Sequence, residues 1–134
     1  MEPKPTILYV EDETLISINV IDVLNEGGFE VDHAVDGPEA LARLDRADQP
    51  YVALVTDMRL PKGIDGWSIA HHARELFPLI PVVYVSGDSA GDWTANGVPR
   101  SMMIPKPFAN VQLVSAVTTL INDAGLYALT GHGQ

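Results

Sequence analysis

The sequence has no cysteine, few basic residues and no long apolar run. Without cysteine, a disulfide, a thiol nucleophile and a cysteine-ligated metal are all excluded. Only 8 basic residues stand against 18 acidic ones, and the net charge of −10 argues against binding to a nucleic-acid backbone. No apolar run approaches the length of a membrane span, and Met1–Lys4 lacks the basic and apolar regions of a signal peptide. We therefore expect a cytoplasmic protein that binds neither nucleic acid nor a membrane.

What the sequence does contain is a regular alternation of apolar strands and helices, in a chain whose 134 residues suffice for one domain. This alternation is typical of an α/β domain with a parallel sheet and right-handed crossovers. For five strands we predict a flavodoxin-like parallel sheet of order 2-1-3-4-5, with helices on both faces. The predicted strands are Thr6–Val10, Glu30–Ala34, Tyr51–Asp57, Pro81–Val85 and Ser101–Ile104, and the predicted helices are Thr14–Glu26, Pro38–Ala47, Trp67–Phe77 and Phe108–Asp123.

Two stretches give weaker signals. The segment from Ala90 to Pro99 is rich in glycine and proline, so any helix in it is expected to be short and marginal. Near the other end of the chain, Gly125 is predicted to terminate the last helix. We therefore divide the chain into a domain over residues 1–124 and a short tail over 125–134, and expect it to act alone, without an output domain.

Asp57 ends the most apolar strand, and in a parallel sheet the functional groups lie just beyond the carboxyl ends of the strands. Three neighbouring carboxylates raise one another's pKa unless a cation neutralises them, and oxygen ligands favour Mg²⁺. A lysine and a hydroxyl suit a phosphoryl group, and a carboxylate beside them can act as a nucleophile that forms an aspartyl phosphate. The polar residues predicted to share this edge are Glu11, Asp12, Asp57, Ser86 and Lys106.

These residues, with Pro107 and Phe108 after the lysine, resemble the motifs of response-regulator receiver domains from bacterial two-component systems. The resemblance runs from residue 6 to about residue 123, nearly the whole chain. It implies that Asp57 is the phosphoacceptor and that Ser86 is the switch residue. It also implies that Lys106 is the lysine of the Lys-Pro-Phe motif, in which the Lys-Pro bond is usually cis.

The same resemblance implies a cofactor and partners. Mg²⁺ would be held by Asp12, Asp57 and the backbone carbonyl of Arg59, with Glu11 reaching it through water. The phosphoryl donor would be a histidine kinase or a histidine phosphotransfer protein, and phosphorylation would change binding to a downstream protein target. The oligomeric state stays open, with a homodimer as one alternative.

The first helix carries more apolar residues than one buried stripe requires, so part of it is expected to stay exposed as an interaction surface. In receivers the first turn of this helix docks on the phosphohistidine donor, which by position points to Leu15, Ile16 and Asn19. The alternative is a thoroughly buried helix. His71 and His72 are adjacent on a helix and point in different directions, so we do not expect them to ligate a metal together.

The sequence departs from the family pattern in three places. Met103 stands where receivers usually carry the aromatic residue that reports phosphorylation, and Val98–Ser101 replaces the small residues that precede it. The loop between Asp57 and Gly66 is also one residue longer than usual. Tyr84, two residues before Ser86, is similar to an aromatic position in a proteobacterial receiver subgroup. We therefore expect the reporting role to fall to Tyr84 or to the segment after residue 88.

Three other interpretations stay open. A pseudo-receiver that binds partners without being phosphorylated is favoured by Met103 and disfavoured by the complete set of polar residues at the strand ends. A Mg²⁺-dependent phosphohydrolase with an aspartyl phosphate usually carries a second Asp two residues after the nucleophile, where this chain has Arg59. The sequence is also compatible with a domain taken from a hybrid kinase or a longer regulator. On balance, we expect a phosphoacceptor switch rather than a metabolic enzyme.

Overall fold

The structure is a computed structural model, and it describes residues 4–48, 51–87 and 97–129. From residue 6 to residue 86, strands and helices alternate along the chain as predicted. The elements are β1 (Thr6–Val10), α1 (Thr14–Glu26), β2 (Glu30–Ala34), α2 (Gly37–Arg46), β3 (Ala53–Asp57), a short 3₁₀ turn (Pro61–Gly63), α3 (Gly66–Leu76), β4 (Val82–Ser86), β5 (Ser101–Pro105) and α4 (Asn110–Leu129). Among these described helices, none is both long and apolar enough to cross a membrane.

The five strands form one sheet in which every pairing is parallel and the order is β2-β1-β3-β4-β5. This confirms the predicted flavodoxin-like fold and places β3 at the centre. Because all strands run the same way, their carboxyl ends meet at one edge, which is where ligands bind in folds of this kind. Pro105 lies on the edge strand β5, where the N–H it lacks costs the least.

Alternate residues of the strands supply two cores, one on each face of the sheet. On one face, Tyr9 and Val55 pack with residues of α1 and α4 such as Leu24. On the other face, Leu54 packs with residues of α2 and α3 such as Ile69. The strands β3 and β4 are buried along their whole length, as expected for a parallel sheet covered by helices on both sides.

Aspartate side chains begin two of the helices. Asp36 caps α2 by accepting a hydrogen bond from the Glu39 N–H at 2.8 Å, and Asp65 caps α3 by accepting one from the Ser68 N–H at 3.0 Å. Such caps satisfy backbone donors that have no partner within the helix. Each of these helices therefore begins one residue before the position predicted from the sequence.

The last helix departs most from its prediction. It begins at Asn110 and continues through Gly125 to Leu129, so the predicted termination at Gly125 is wrong. A glycine inside a helix costs only about 1 kcal/mol relative to alanine, which is small enough for the helix to continue through it. Most of the segment from Ala90 to Pro99, where we predicted a marginal helix, lies outside the described residues.

Candidate functional site

Three carboxylates meet at the carboxyl edge of the sheet. Glu11 and Asp12 follow the last residue of β1, and Asp57 is the last residue of β3. One oxygen from each carboxylate lies within 4.8 Å of the others. Glu11 and Asp57 are buried, whereas Asp12 is exposed. The predicted acidic cluster is therefore present, with one side open to solvent.

The orientation of Asp57 is fixed by local hydrogen bonds. Its Oδ1 accepts a hydrogen bond from the Met58 N–H at 2.8 Å, and its backbone carbonyl accepts one from the Thr56 hydroxyl at 2.8 Å. The second carboxylate oxygen, Oδ2, lies 3.2 Å from Nζ of Lys106. One oxygen is thus held by the backbone while the other faces a cation.

Lys106 contacts two of the three carboxylates. It follows β5 directly, and its Nζ lies 3.2 Å from Asp57 Oδ2 and 3.6 Å from Glu11 Oε1. The Lys106–Pro107 bond is cis, as the resemblance implies. Burial by itself lowers the pKa of Lys106, but the charges of Asp57 and Glu11 outweigh it and raise that pKa above its usual value. The ammonium group therefore stays charged within the cluster.

Glu11 is the most deeply buried of the carboxylates, at 2% exposure. Burial, followed by the negative charge of Asp57, raises the pKa of Glu11 to about 7, although the charge of Lys106 opposes this. Its Oε2 accepts a hydrogen bond from the Glu13 N–H at 3.3 Å. The carboxylates thus carry more negative charge than one lysine neutralises, and an additional cation at the cluster would relieve their repulsion.

The cluster opens into a cavity of about 440 Å³. The side chains that line it and could coordinate a metal offer only carboxylate and hydroxyl oxygens, with no imidazole or thiolate among them. This set of hard oxygen donors fits Mg²⁺. Ser86, buried at the end of β4, contributes to the cavity as predicted. The residues lining it are Asp12, Glu13, Asp57, Arg59, Ser86, Gly87 and Lys106. The use of the Arg59 carbonyl as a ligand stays a prediction.

Tyr84 and Met103 are neighbours in the sheet, paired in register across β4 and β5. Tyr84 is fully buried, and its hydroxyl accepts a hydrogen bond from the Val98 N–H at 3.0 Å. Burial is also the main reason that the pKa of Tyr84 is raised. The ring of Trp67 packs edge-on against it with 4.6 Å between centroids. Tyr84, which lies two residues before Ser86 on β4, therefore connects this strand to the segment that enters β5.

The first turns of α1 leave large apolar side chains in solvent. Leu15 is 86% exposed and Ile18 is 61% exposed, while Asn19 is exposed as well. Ile16 is half-buried and packs against the core on the α1 face. The alternative of a thoroughly buried helix is therefore wrong. The use of this surface for docking stays a prediction.

The two adjacent histidines lie away from the acidic cluster. His71 is exposed, and His72 contacts Asp45 of α2 with 2.7 Å between Nε2 and Oδ1. Across residues 4–48, 51–87 and 97–129, the acidic cluster is the only group of three side chains close enough together to hold a metal ion. His72 thus serves a contact between α2 and α3.

The residues that hold the loop after Asp57 were not predicted from the sequence. The Gly66 N–H donates to the Met58 carbonyl at 3.0 Å, so the two ends of the loop meet. Lys62, within the loop, lies 3.0 Å from Asp36 between Nζ and Oδ2. In the sequence, Asp36 with Gly37 and Asp65 with Gly66 are signals for helix starts, and neither pair indicates a contact between the loop and α2.

Comparison with known proteins identifies a family for this chain. A family model described as the response regulator receiver domain matches residues 7–118. A response regulator receiver protein of Anaeromyxobacter sp. is 35% identical over 116 residues, which cover 87% of this chain and 45% of that protein. The sensor kinase CckA of Brucella abortus is 30% identical over 119 residues, which cover 87% of this chain and 12% of that kinase. The chain thus spans less than half the length of these two curated relatives.

Two solved structures are also similar. A response regulator receiver protein from Sinorhizobium medicae superposes with a TM-score of 0.87 at 37% identity, covering 90% of this chain and 97% of that one. The receiver domain of the sensor histidine kinase PA1611 from Pseudomonas aeruginosa, which has a magnesium ion in its active-site cleft, gives a TM-score of 0.77 at 26% identity over 90% of this chain and 99% of its own. The family model covers most of the chain, and the solved structures share its parallel sheet. The chain therefore belongs to the response regulator receiver domain family.

Proposed function

We propose that this receiver domain accepts a phosphoryl group from a phosphohistidine onto Asp57. The observation that carries the proposal is the setting of that carboxylate. Asp57 ends the central strand with one oxygen held by the Met58 N–H and the other 3.2 Å from Nζ of Lys106. A carboxylate held in place beside a cation, at the opening of a cavity, is suited to nucleophilic attack on phosphorus.

In the proposed transfer, a carboxylate oxygen of Asp57 forms a bond to phosphorus while the bond between phosphorus and the histidine nitrogen breaks. The electron pair of that bond leaves with the imidazole, which takes up a proton. Lys106 balances charge on the phosphoryl oxygens, and the hydroxyl of Ser86, which lines the same cavity, is placed to donate a hydrogen bond to one of them.

We further propose Mg²⁺ as the cofactor, held by Asp12, Asp57 and the backbone carbonyl of Arg59, with Glu11 acting through water. The close approach of three carboxylate oxygens supports this proposal. The related receiver from Pseudomonas aeruginosa carries a magnesium ion in its cleft. When bound, Mg²⁺ neutralises negative charge on the carboxylates and on the transferring phosphoryl group.

Phosphorylation adds nearly two negative charges at Asp57, and we propose that this recruits Lys106 and Ser86 toward the phosphoryl group. Ser86 lies two residues from Tyr84, whose hydroxyl holds the Val98 N–H at 3.0 Å. A shift at the end of β4 is thereby transmitted to the connection into β5, where Met103 pairs with Tyr84. In this proposal Tyr84 takes the reporting role that Met103 cannot fill.

Receiver domains interact with histidine kinases and downstream effectors. For this chain we propose a histidine kinase or a histidine phosphotransfer protein as the donor, docking on Leu15, Ile16 and Asn19, and a downstream protein as the target. Leu15 supports this because an apolar side chain that is 86% exposed on α1 contributes nothing to the core. A cytoplasmic location and independent action of the domain stay predictions from the sequence.

Intact-mass analysis after incubation with acetyl phosphate tests the proposal. We expect wild type to gain the mass of one phosphoryl group when Mg²⁺ is present and to gain none when EDTA withholds the metal throughout the incubation. Asp57→Asn removes the nucleophile and should gain nothing. Asp22→Asn is the matched control, because Asp22 is an exposed aspartate of α1 outside the cavity, and it should be labelled like wild type.

Each of the other possible results would contradict the proposal and indicate a different function or a different phosphoacceptor. If wild type binds Mg²⁺ but gains no adduct, the proposal is wrong and the chain is a pseudo-receiver. Steady release of phosphate from small phosphoesters without a lasting adduct would instead identify a phosphohydrolase. An adduct that persists in Asp57→Asn would place the phosphoacceptor on another residue.

A further inference from the structure

The loop that leaves Asp57 is fastened to the start of α2, a helix that takes no part in the proposed site. The connection runs over residues 58–65, and its ends are joined where the Gly66 N–H donates to the Met58 carbonyl at 3.0 Å. Between these ends lie Arg59, which lines the acidic cavity, and the short 3₁₀ turn. The conformation of this loop therefore decides where the carbonyl of Arg59 points.

Lys62 makes the first contact of the loop with α2. Its Nζ lies 3.0 Å from Oδ2 of Asp36, whose other oxygen caps α2 through the Glu39 N–H at 2.8 Å. The Lys62 side chain is 66% exposed, whereas that of Asp36 is 9% exposed, so a mobile lysine meets a carboxylate that the helix already holds rigidly. Less conformational freedom is then lost when the pair forms than for two mobile partners.

The backbone of the loop bends in order to make this contact. Lys62 has φ of +70° and the following Gly63 has φ of +78°, so two consecutive residues occupy the left-handed region. Glycine adopts that region freely, but a residue with a Cβ does so only at a conformational cost. A favourable interaction in the folded protein must offset this conformational cost at Lys62. The ion pair that the same side chain makes with Asp36 is such an interaction.

Ile64 makes a second contact beside the first. A Cβ placed on Gly37, the first residue of α2, would lie 2.4 Å from Cβ of Ile64. The loop therefore packs directly on the backbone of the helix, at the residue next to Asp36. We call these two contacts, Lys62 with Asp36 and Ile64 with Gly37, the clasp.

We propose that Lys62 and Asp36 are positioning residues for the metal site, because the clasp fixes the conformation of the loop and with it the direction of the Arg59 carbonyl, the ligand that we propose for Mg²⁺. This inference rests on the proposed function, since it assumes that Mg²⁺ binds at the cluster. Neither residue touches the metal or the phosphoryl group. Both act through the backbone of the loop.

The direction in which the affinity for Mg²⁺ changes distinguishes loss of this contact from a general electrostatic effect. Replacing Lys62 by Gln removes one positive charge from a protein that already carries a net charge of −10. Long-range electrostatics alone would then make Mg²⁺ bind more tightly. Loss of the Lys62–Asp36 contact predicts the opposite, a Kd for Mg²⁺ that rises about two- to fivefold, as expected for an exposed ion pair.

The experiment measures the Mg²⁺ Kd by following backbone amide signals in NMR titrations of wild type, Lys62→Gln and Lys62→Arg. Lys4→Gln is the matched control, because it removes the same charge from an exposed lysine that precedes β1, at the opposite edge of the sheet. We expect weaker binding only in Lys62→Gln, with Lys62→Arg close to wild type and Lys4→Gln equal to wild type or tighter. Gln and Arg share the backbone preferences of Lys, so the cost of the left-handed conformation is the same in all three proteins.

A second measurement needs no metal. In metal-free protein, the backbone amides of residues 59, 60, 62 and 63 should show lower heteronuclear NOE values in Lys62→Gln than in wild type. If Lys62→Gln binds Mg²⁺ as tightly as wild type or more tightly, the inference is overturned, even where the loop has become more mobile. If wild type itself binds no Mg²⁺, the proposed function fails, and the metal-free measurement still shows whether Lys62 orders the loop.

Discussion

At Gly66 the chain returns so close to the end of β3 that a side chain has no room. A Cβ at this position would lie 2.5 Å from the carbonyl oxygen of Asp57 and 3.1 Å from the sulfur of Met58. The nearest obstacle is backbone, which cannot move aside as the tip of a side chain can. The absence of a side chain at Gly66 therefore helps to determine where the Asp57 backbone lies.

We expect Gly66→Ala to lower the free energy of unfolding by about 1–3 kcal/mol, because relief of the clash displaces either α3 or the Asp57 backbone. It should also slow labelling of Asp57 by acetyl phosphate. Gly125→Ala is the matched control, since no neighbouring atom lies within 4 Å of a Cβ there and the residue is inside α4. That control should raise the free energy of unfolding by about 0.5–1 kcal/mol through helix propensity. Urea denaturation measures both, and a Gly66→Ala protein as stable as wild type would contradict the packing described here.

Residues at the strand ends could be predicted from the sequence because their positions follow from the fold alone. Once the strands are recognised and parallel, Glu11, Asp57 and Lys106 have to meet at one edge. The pairing of Lys62 with Asp36 could not be predicted in this way. It depends on the conformation of a loop, including a left-handed lysine, and no periodicity in the sequence encodes that conformation.

At the scale of a single element, β4 joins the site to the chain that enters β5. Ser86 lines the cavity at the end of this strand, and Tyr84 lies two residues earlier with its side chain in the α2 and α3 core. The Tyr84 hydroxyl accepts a hydrogen bond from the buried Val98 N–H at 3.0 Å. Removing that oxygen leaves a buried donor without this partner, which is expensive in a protein interior.

Tyr84→Phe is therefore expected to lower the free energy of unfolding by about 1–3 kcal/mol, measured by urea denaturation. In wild type, addition of beryllofluoride as a phosphoryl mimic should shift the ring signals of Tyr84 in NMR spectra. Tyr51 supplies the internal control. Its hydroxyl donates a hydrogen bond at 2.5 Å to Asp32 of β2, the edge strand farthest from β5, and its ring signals should not move. Unchanged Tyr84 signals would show that β4 does not report phosphorylation through this residue.

The bounds of elements were predictable to different degrees. The bounds of β1, α1 and β2 agree fully with the prediction, because apolar residues and turn residues change abruptly there. The end of α4 was mispredicted because Gly125 was treated as a helix terminator, whereas a single glycine costs a helix only about 1 kcal/mol relative to alanine. The start of α3 was displaced by one residue because the role of Asp65 as the cap depends on its hydrogen bond with the Ser68 N–H.

At the scale of the whole molecule, the fold brings an exposed apolar surface next to the acidic edge. Helix α1 begins at Thr14, two residues after Asp12, so its first turn lies at the same edge of the sheet as Asp57. Leu15 in that turn is 86% exposed. A protein that covers Leu15 is thus close enough to present a phosphohistidine to the cavity. Acetyl phosphate needs no such surface. Comparing phosphorylation by a protein donor with phosphorylation by acetyl phosphate therefore distinguishes a defect in docking from a defect in the chemical step.

We expect Leu15→Ala to slow phosphotransfer from a protein donor by about fivefold or more, as for a residue that contributes over 1 kcal/mol at an interface. Labelling by acetyl phosphate should be unchanged, and the free energy of unfolding should stay within about 0.5 kcal/mol of wild type, because the side chain is in solvent. Leu76→Ala is the matched control, since this leucine is 42% exposed on α3, on the opposite face of the sheet. The donor would be chosen from a panel of purified histidine phosphotransfer domains as the fastest with wild type. Equal transfer rates for the two variants would move the docking surface away from α1, whereas a loss confined to Leu15→Ala would assign the exposed start of that helix to the donor.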